Sequence, residues 1–74
     1  MNYNINLYGM SDGQALTKLQ SELNEIPFDD KTIIYITIGK AGDLRNKITN
    51  KILNPEGYEY SYPSFTEIII DGKS

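Results

Sequence analysis

The run from Thr32 to Ile38 reads Thr-Ile-Ile-Tyr-Ile-Thr-Ile, β-branched or aromatic at every position. Such side chains are stiff at χ1 and pack well on a pleated surface. Apolar groups fall on both faces of the run. That marks a central strand, and the rest of the chain has to be arranged around it.

The flanking segments read in sequence as strands and helices of distinct period. From Asn2 to Tyr8 the pattern alternates, with Tyr3, Ile5 and Leu7 on one side and Asn2, Asn4 and Asn6 on the other. Period two predicts a half-buried strand with a polar outer face. Gly9 and Met10 break it. Ser11 and Gln14 then have the spacing of a capping box, with Asp12 favourable in the first turn. Leu16, Leu19, Leu23 and Ile26 form one apolar stripe, which predicts a helix from about Asp12 to Glu25, stopped by Pro27. A strand, a helix and the central strand in that order predict a parallel βαβ unit.

Beyond the central strand, Gly39-Lys40-Ala41-Gly42 is a turn, and Asp43 is placed to cap a second helix. Leu44, Ile48 and Ile52 recur every fourth position, predicting a helix to about Leu53, ended by Asn54-Pro55-Glu56-Gly57. Tyr58, Tyr60 and Tyr62 alternate with polar residues and read as a short strand. Pro63-Ser64 is a turn, and Phe65 to Ile70 is a last, buried strand. The expected fold is α+β, or a small α/β fold, in the order β-α-β-α-β-β. A three- to four-stranded mixed sheet would carry both helices on one face, in a single small domain spanning residues 1–74.

Composition narrows function by exclusion. The chain has no Cys, no His and no Trp. A disulfide framework, a Cys/His zinc site and imidazole or thiol catalysis are therefore out of reach. The serines have no histidine to activate them. Asp29-Asp30, and Glu56 with Glu59, are the only close acid pairs in its loops and turns, and neither has EF-hand spacing. Adjacent loop acids commonly serve turns and solubility. No metal and no cofactor is expected, and the residues argue for a non-catalytic protein. No apolar run nears the 18 residues of a membrane span, and the first residues lack the basic and apolar regions of a signal peptide. A cytoplasmic protein is the expectation, in the host cell's cytoplasm if the source is a virus. Richness in Ile, Asn, Lys and Tyr, whose codons are AT-rich, suggests a small accessory protein of a low-GC bacterium, virus or mobile element.

The interaction reading rests on aromatics and charge. Six of the eight aromatic residues are Tyr, a side chain with a dry ring and a wet tip that suits interfaces. Charge is blocked along the chain: residues 11–30 carry net −4, residues 31–54 net +4 and residues 55–74 net −3, which sum to −3. The expected partner-binding residues are Tyr58, Glu59, Tyr60 and Tyr62 on the tyrosine strand, with Arg45, Lys47 and Lys51 on the basic helix. The expected partner is a protein, with the chain itself a homo-oligomer. Net charge −3 and a single Arg argue against nucleic acid.

A second reading starts from the glycine turn. A strand, Gly39 to Gly42, and a helix starting at Asp43 make up a βα turn of the kind that receives phosphates. A later apolar strand, Ile68-Ile69-Ile70, ends in Asp71, where such folds hold a ribose hydroxyl. Over roughly Thr32 to Gly72 the arrangement resembles the first half of a Rossmann-like or methyltransferase-like domain. That resemblance implies a ligand site at Gly39, Gly42, Asp43 and Asp71. The G-x-G-x-x-G and Walker spacings are absent.

Overall fold

The computed structural model describes residues 1–39 and 43–73. Its elements are β1 (Asn2–Asn6), α1 (Asp12–Glu25), β2 (Ile33–Thr37), α2 (Leu44–Ile48), a π-helical turn (Thr49–Leu53), α3 (Asn54–Glu56), β3 (Tyr58–Ser64) and β4 (Glu67–Lys73). The four strands form one mixed sheet in the order β1-β2-β4-β3. β1 and β2 are parallel; β4 is antiparallel to both β2 and β3. The α+β class and the mixed sheet are as the sequence predicts.

Alternation decides which side of the sheet is dry. Ile5, Leu7, Ile34, Ile36, Ile68 and Ile70 are buried together with Leu19 and Leu23 of α1 and Ile48 of α2. Among the described residues, no helix lies on the opposite face. Across it runs one row in register, Asn4 on β1, Tyr35 on β2, Ile69 on β4 and Ser61 on β3. Tyr35 and Ile69 are half-buried by their neighbours, and Asn4 and Ser61 are exposed. The dry face follows from the isoleucine pattern, and the triple-Ile strand does sit inside the sheet.

The capping box at the start of α1 forms with both of its bonds: Gln14 N donates to Ser11 Oγ, and Ser11 N to Gln14 Oε1, each at 3.3 Å. The second helix departs from expectation in two ways. Asp43 occupies the N-cap position, yet its side chain makes no cap bond. The helix also continues through Pro55 rather than ending at Leu53. A proline cannot donate to the carbonyl four residues back, and its ring crowds that carbonyl. Here the turn before it widens to π geometry, with Asn54 N bonded five residues back to Thr49 O. The helix ends instead at Gly57, whose φ of 75° is left-handed backbone suited to glycine.

The β3–β4 turn also lies later than predicted. β3 runs through Pro63 and Ser64, and the chain reverses at Phe65 and Thr66. Pro63 is tolerated because β3 is an edge strand and because the ladder is irregular between Ser61 and Ser64. A second irregularity, between Glu59 and Tyr60, inserts Asp71 into β4 as an unpaired residue.

Candidate interaction surface

Tyr58, Tyr60 and Tyr62 do share one side of β3, but it is the side that faces the helices. Tyr58 belongs to the buried core and is only 9% exposed. Its ring packs against Phe28 at a centroid distance of 5.6 Å, and Lys73 Nζ lies 4.8 Å from its centre. Tyr60 is half-buried and donates to Asn54 Oδ1 at 2.9 Å. The Tyr62 hydroxyl is hydrogen-bonded to the Thr49 hydroxyl on the π turn, while 40% of the residue stays exposed. The widened helix thus anchors the strand through two tyrosine hydroxyls. The aromatic strip expected for a partner lies largely against the protein's own helix. Alternation revealed the shared face but not which layer covers it.

The remaining predicted positions scatter. Glu59 is exposed on the bare face of the sheet, opposite Tyr58 and Tyr60. Its carboxylate lies over Gly72, where an added Cβ would meet Oε1 at 2.7 Å, a contact that the exposed Glu59 side chain relieves by swinging away. Lys47 is held by Asp12 on α1 at 2.6 Å, an exposed ion pair joining the starts of two helices. Its pKa is raised, chiefly by that hydrogen bond and then by the Asp12 charge. Lys51 is exposed on the π turn.

Arg45 is the predicted residue that finds an aromatic setting. Its guanidinium carbon lies 4.8 Å from the Tyr62 ring centre and 5.8 Å from that of Phe65. Cation–π attraction and the planar shape of guanidinium favour such stacking. Phe65 itself is 80% exposed at the hairpin tip. Sequence reasoning missed it by assigning it to the last strand. The available signal was its place directly after Pro63-Ser64, where a hairpin reverses and no core lies within reach.

This tip stands at a definite end of the molecule. Ile38 N donates to Thr66 O at 2.8 Å, and Leu7 N to Thr37 O at 2.8 Å, so the hairpin tip and the carboxyl ends of β1 and β2 share one end of the sheet. Exposed Tyr8 follows β1 at the same end. Across the intervening β2, β1 and β4 are about 10 Å apart. The cluster of Arg45, Tyr62 and Phe65, with Tyr8 across the end of the sheet, is the most aromatic exposed surface among the described residues.

The second reading does not assemble. Gly42 lies outside the described residues. Gly39 and Asp43 lie at the carboxyl end of β2, whereas β4 runs antiparallel to β2 and delivers Asp71 to the other end. Thr37 pairs with Glu67, so Gly39 and Asp71 are separated by about six residues of strand, or ~20 Å. A Rossmann-like half needs that strand parallel, with its acid beside the glycine turn.

The loop acids also have local roles. Asp29 Oδ1 accepts from Lys31 N at 2.8 Å and from the Thr32 hydroxyl at 3.0 Å. These bonds, the backbone one first, lower its pKa, and they fix the entry to β2. Among the described residues no group of three or more acids is placed to hold a metal ion, and no helix is long and apolar enough to cross a membrane. No family model matches the chain, and no curated protein or solved structure is detectably similar to it.

Proposed function

We propose that this chain is a small non-catalytic protein that binds another protein through the end of its sheet, with Phe65 and Tyr62 as apolar anchors and Arg45 as the charged contact. The observation that carries the reading is the exposed Phe65 ring at a hairpin tip, beside an arginine already stacked on Tyr62. Arginine and aromatic side chains dominate binding energy at interfaces. Here their order is set before contact: the Thr49 bond restrains Tyr62, and the ring restrains Arg45. Restraint in the free protein lowers the entropy cost of association. The matching partner surface is an apolar pocket bordered by a carboxylate. The small size and the AT-rich codon bias suit an accessory or inhibitor protein of a virus or mobile element, acting in the cytoplasm.

The test is a comparison of partner capture by the wild-type chain and by Phe65→Ser and Arg45→Ala variants, with circular dichroism to verify their folds. Each variant is expected to retain the fold and lose the captured protein, while Lys51→Ala retains both. A captured protein that remains bound to both tip variants would remove the tip from the account. Replacing Tyr58, Tyr60 and Tyr62 together would be an unsuitable test, because Tyr58 is part of the core.

A further inference from the structure

The sheet has two edges, and the chain treats them differently. β3 carries Pro63, an exposed Glu59 and two register irregularities. Proline, charge and bulges are devices that stop an edge from pairing with another chain. β1 has neither proline nor a register irregularity, and the charge at its outer side is confined to Lys18, at one end. Its register with β2 is regular over all five residues, and residues 1–10 contain no charged side chain.

The direction of its backbone groups follows from the ladder. Ile33 N donates to Met1 O and Leu7 N to Thr37 O, so the odd-numbered residues address β2. In a regular strand, alternate residues present their N–H and C=O to opposite sides. Asn2, Asn4 and Asn6 therefore direct theirs outward, where no described strand lies. Lys18 Nζ reaches Asn6 O at 3.3 Å, and a carbonyl has a second lone pair for another donor.

We propose that this edge pairs with β1 of a second copy of the chain, antiparallel about a twofold axis at Asn4. The occupant is identified by the symmetry of the segment Asn-Tyr-Asn-Ile-Asn, which has the same polar–apolar pattern read in either direction. A twofold contact must be self-complementary. With Asn4 on the axis, Asn4 faces Asn4 of the second copy and Asn2 faces Asn6. Each facing pair exchanges both of its N–H···O bonds, as antiparallel hydrogen-bonded pairs do. On the bare face, amide meets amide across the seam. On the helix side, Tyr3 meets Ile5 of the second copy. Both copies have net charge −3, and the charged group that reaches this edge is Lys18 of α1, at Asn6 O near the end of the strand; a basic partner would find nothing complementary there. Because β3 is guarded, the pairing stops at two copies and yields a continuous sheet with a β3 at each end.

This surface is separate from the Phe65 tip, so the two proposals fail independently. The test is native mass spectrometry with size-exclusion light scattering on the full chain over a dilution series. The wild type is expected as two copies at high concentration, separating on dilution. Asn4→Pro removes an outward N–H, and Asn4→Lys puts like charges face to face on the axis. Both variants are expected as single copies throughout, with wild-type circular dichroism and undiminished capture of any tip-bound protein. Should Asn4→Pro fail to fold, Asn4→Lys carries the test, because its side chain lies on the exposed bare face. A wild type that is a single copy at every concentration would overturn the proposal. So would two copies persisting in both variants, or an assembly that grows beyond two.

Discussion

β1 and β3 are both edge strands of one sheet, and they solve opposite problems. β3 is bent by two irregularities, contains a proline and is tied by Tyr60 and Tyr62 to the helix beside it. β1 is straight in register and has no charged side chain of its own, and on its outer side Lys18 of α1 bonds Asn6 O near its end. An edge strand is a template for any chain that approaches it, and natural proteins guard such edges when they are not used. The difference teaches that the two edges have separate roles. β3 closes the sheet and positions the aromatic tip, while β1 is left able to pair.

The largest expected effect falls on the closed edge. Tyr58→Ala should destabilise the fold by about 3–5 kcal/mol, the range for truncating a large buried aromatic. Urea denaturation measures it. A cost below about 1 kcal/mol would mean that the tyrosine strip is surface and that β3 is free to serve a partner. Phe65→Ser, on the same hairpin, should change stability by less than about 0.5 kcal/mol.

Removing a guard should turn β3 into a second β1. Pro63→Thr supplies a backbone N–H and a β-branched side chain, and it is expected to raise light scattering at high concentration through association beyond two copies. If scattering is unchanged, the irregularities alone protect the edge and proline is incidental.

A smaller effect concerns the turn that feeds β2, on which β1 rests. Asp29 has a lowered pKa in the fold because of its bonds to Lys31 N and Thr32. Its contribution is present above the usual carboxylate range near ~4 and is lost as pH falls through the lowered value. Stability should fall with acid across that window, and Asp29→Ala should flatten the dependence. The smallest effect is expected at the Asp12–Lys47 pair, exposed and open to screening by salt. Lys47 has a raised pKa, so its contribution is present below the usual lysine range and lost as pH rises through the raised value. Asp12→Asn should lower Tm only slightly, and less so in high salt.

Much of the fold was legible because local signals agree with the final arrangement. The alternation of Tyr3, Ile5 and Leu7, the box at Ser11 and Gln14, and the two-sided apolar run of β2 each give element type and burial without long-range information. Three features were not legible. Periodicity shows that Tyr58, Tyr60 and Tyr62 share a face, but a covered face and a presented one have the same period. Pro55 reads as a stop because its cost is local, while the π turn that accommodates it spans five residues. The direction of β4 relative to β2 is set by long-range pairing, which local pattern does not report; the Rossmann-like resemblance needs it parallel, and the sheet has it antiparallel, so Asp71 lies far from the glycine turn. Placing the hairpin turn at Pro63-Ser64 rather than at Phe65 and Thr66 hides Phe65 inside a strand.

The most direct measurement is amide hydrogen exchange, followed by NMR, at high and low protein concentration. The account predicts that the Asn4 amide is protected at high concentration and exchanges freely on dilution, while the Leu7 amide, bonded to Thr37 O within one chain, stays protected at both. An Asn4 amide that exchanges freely at every concentration would contradict it.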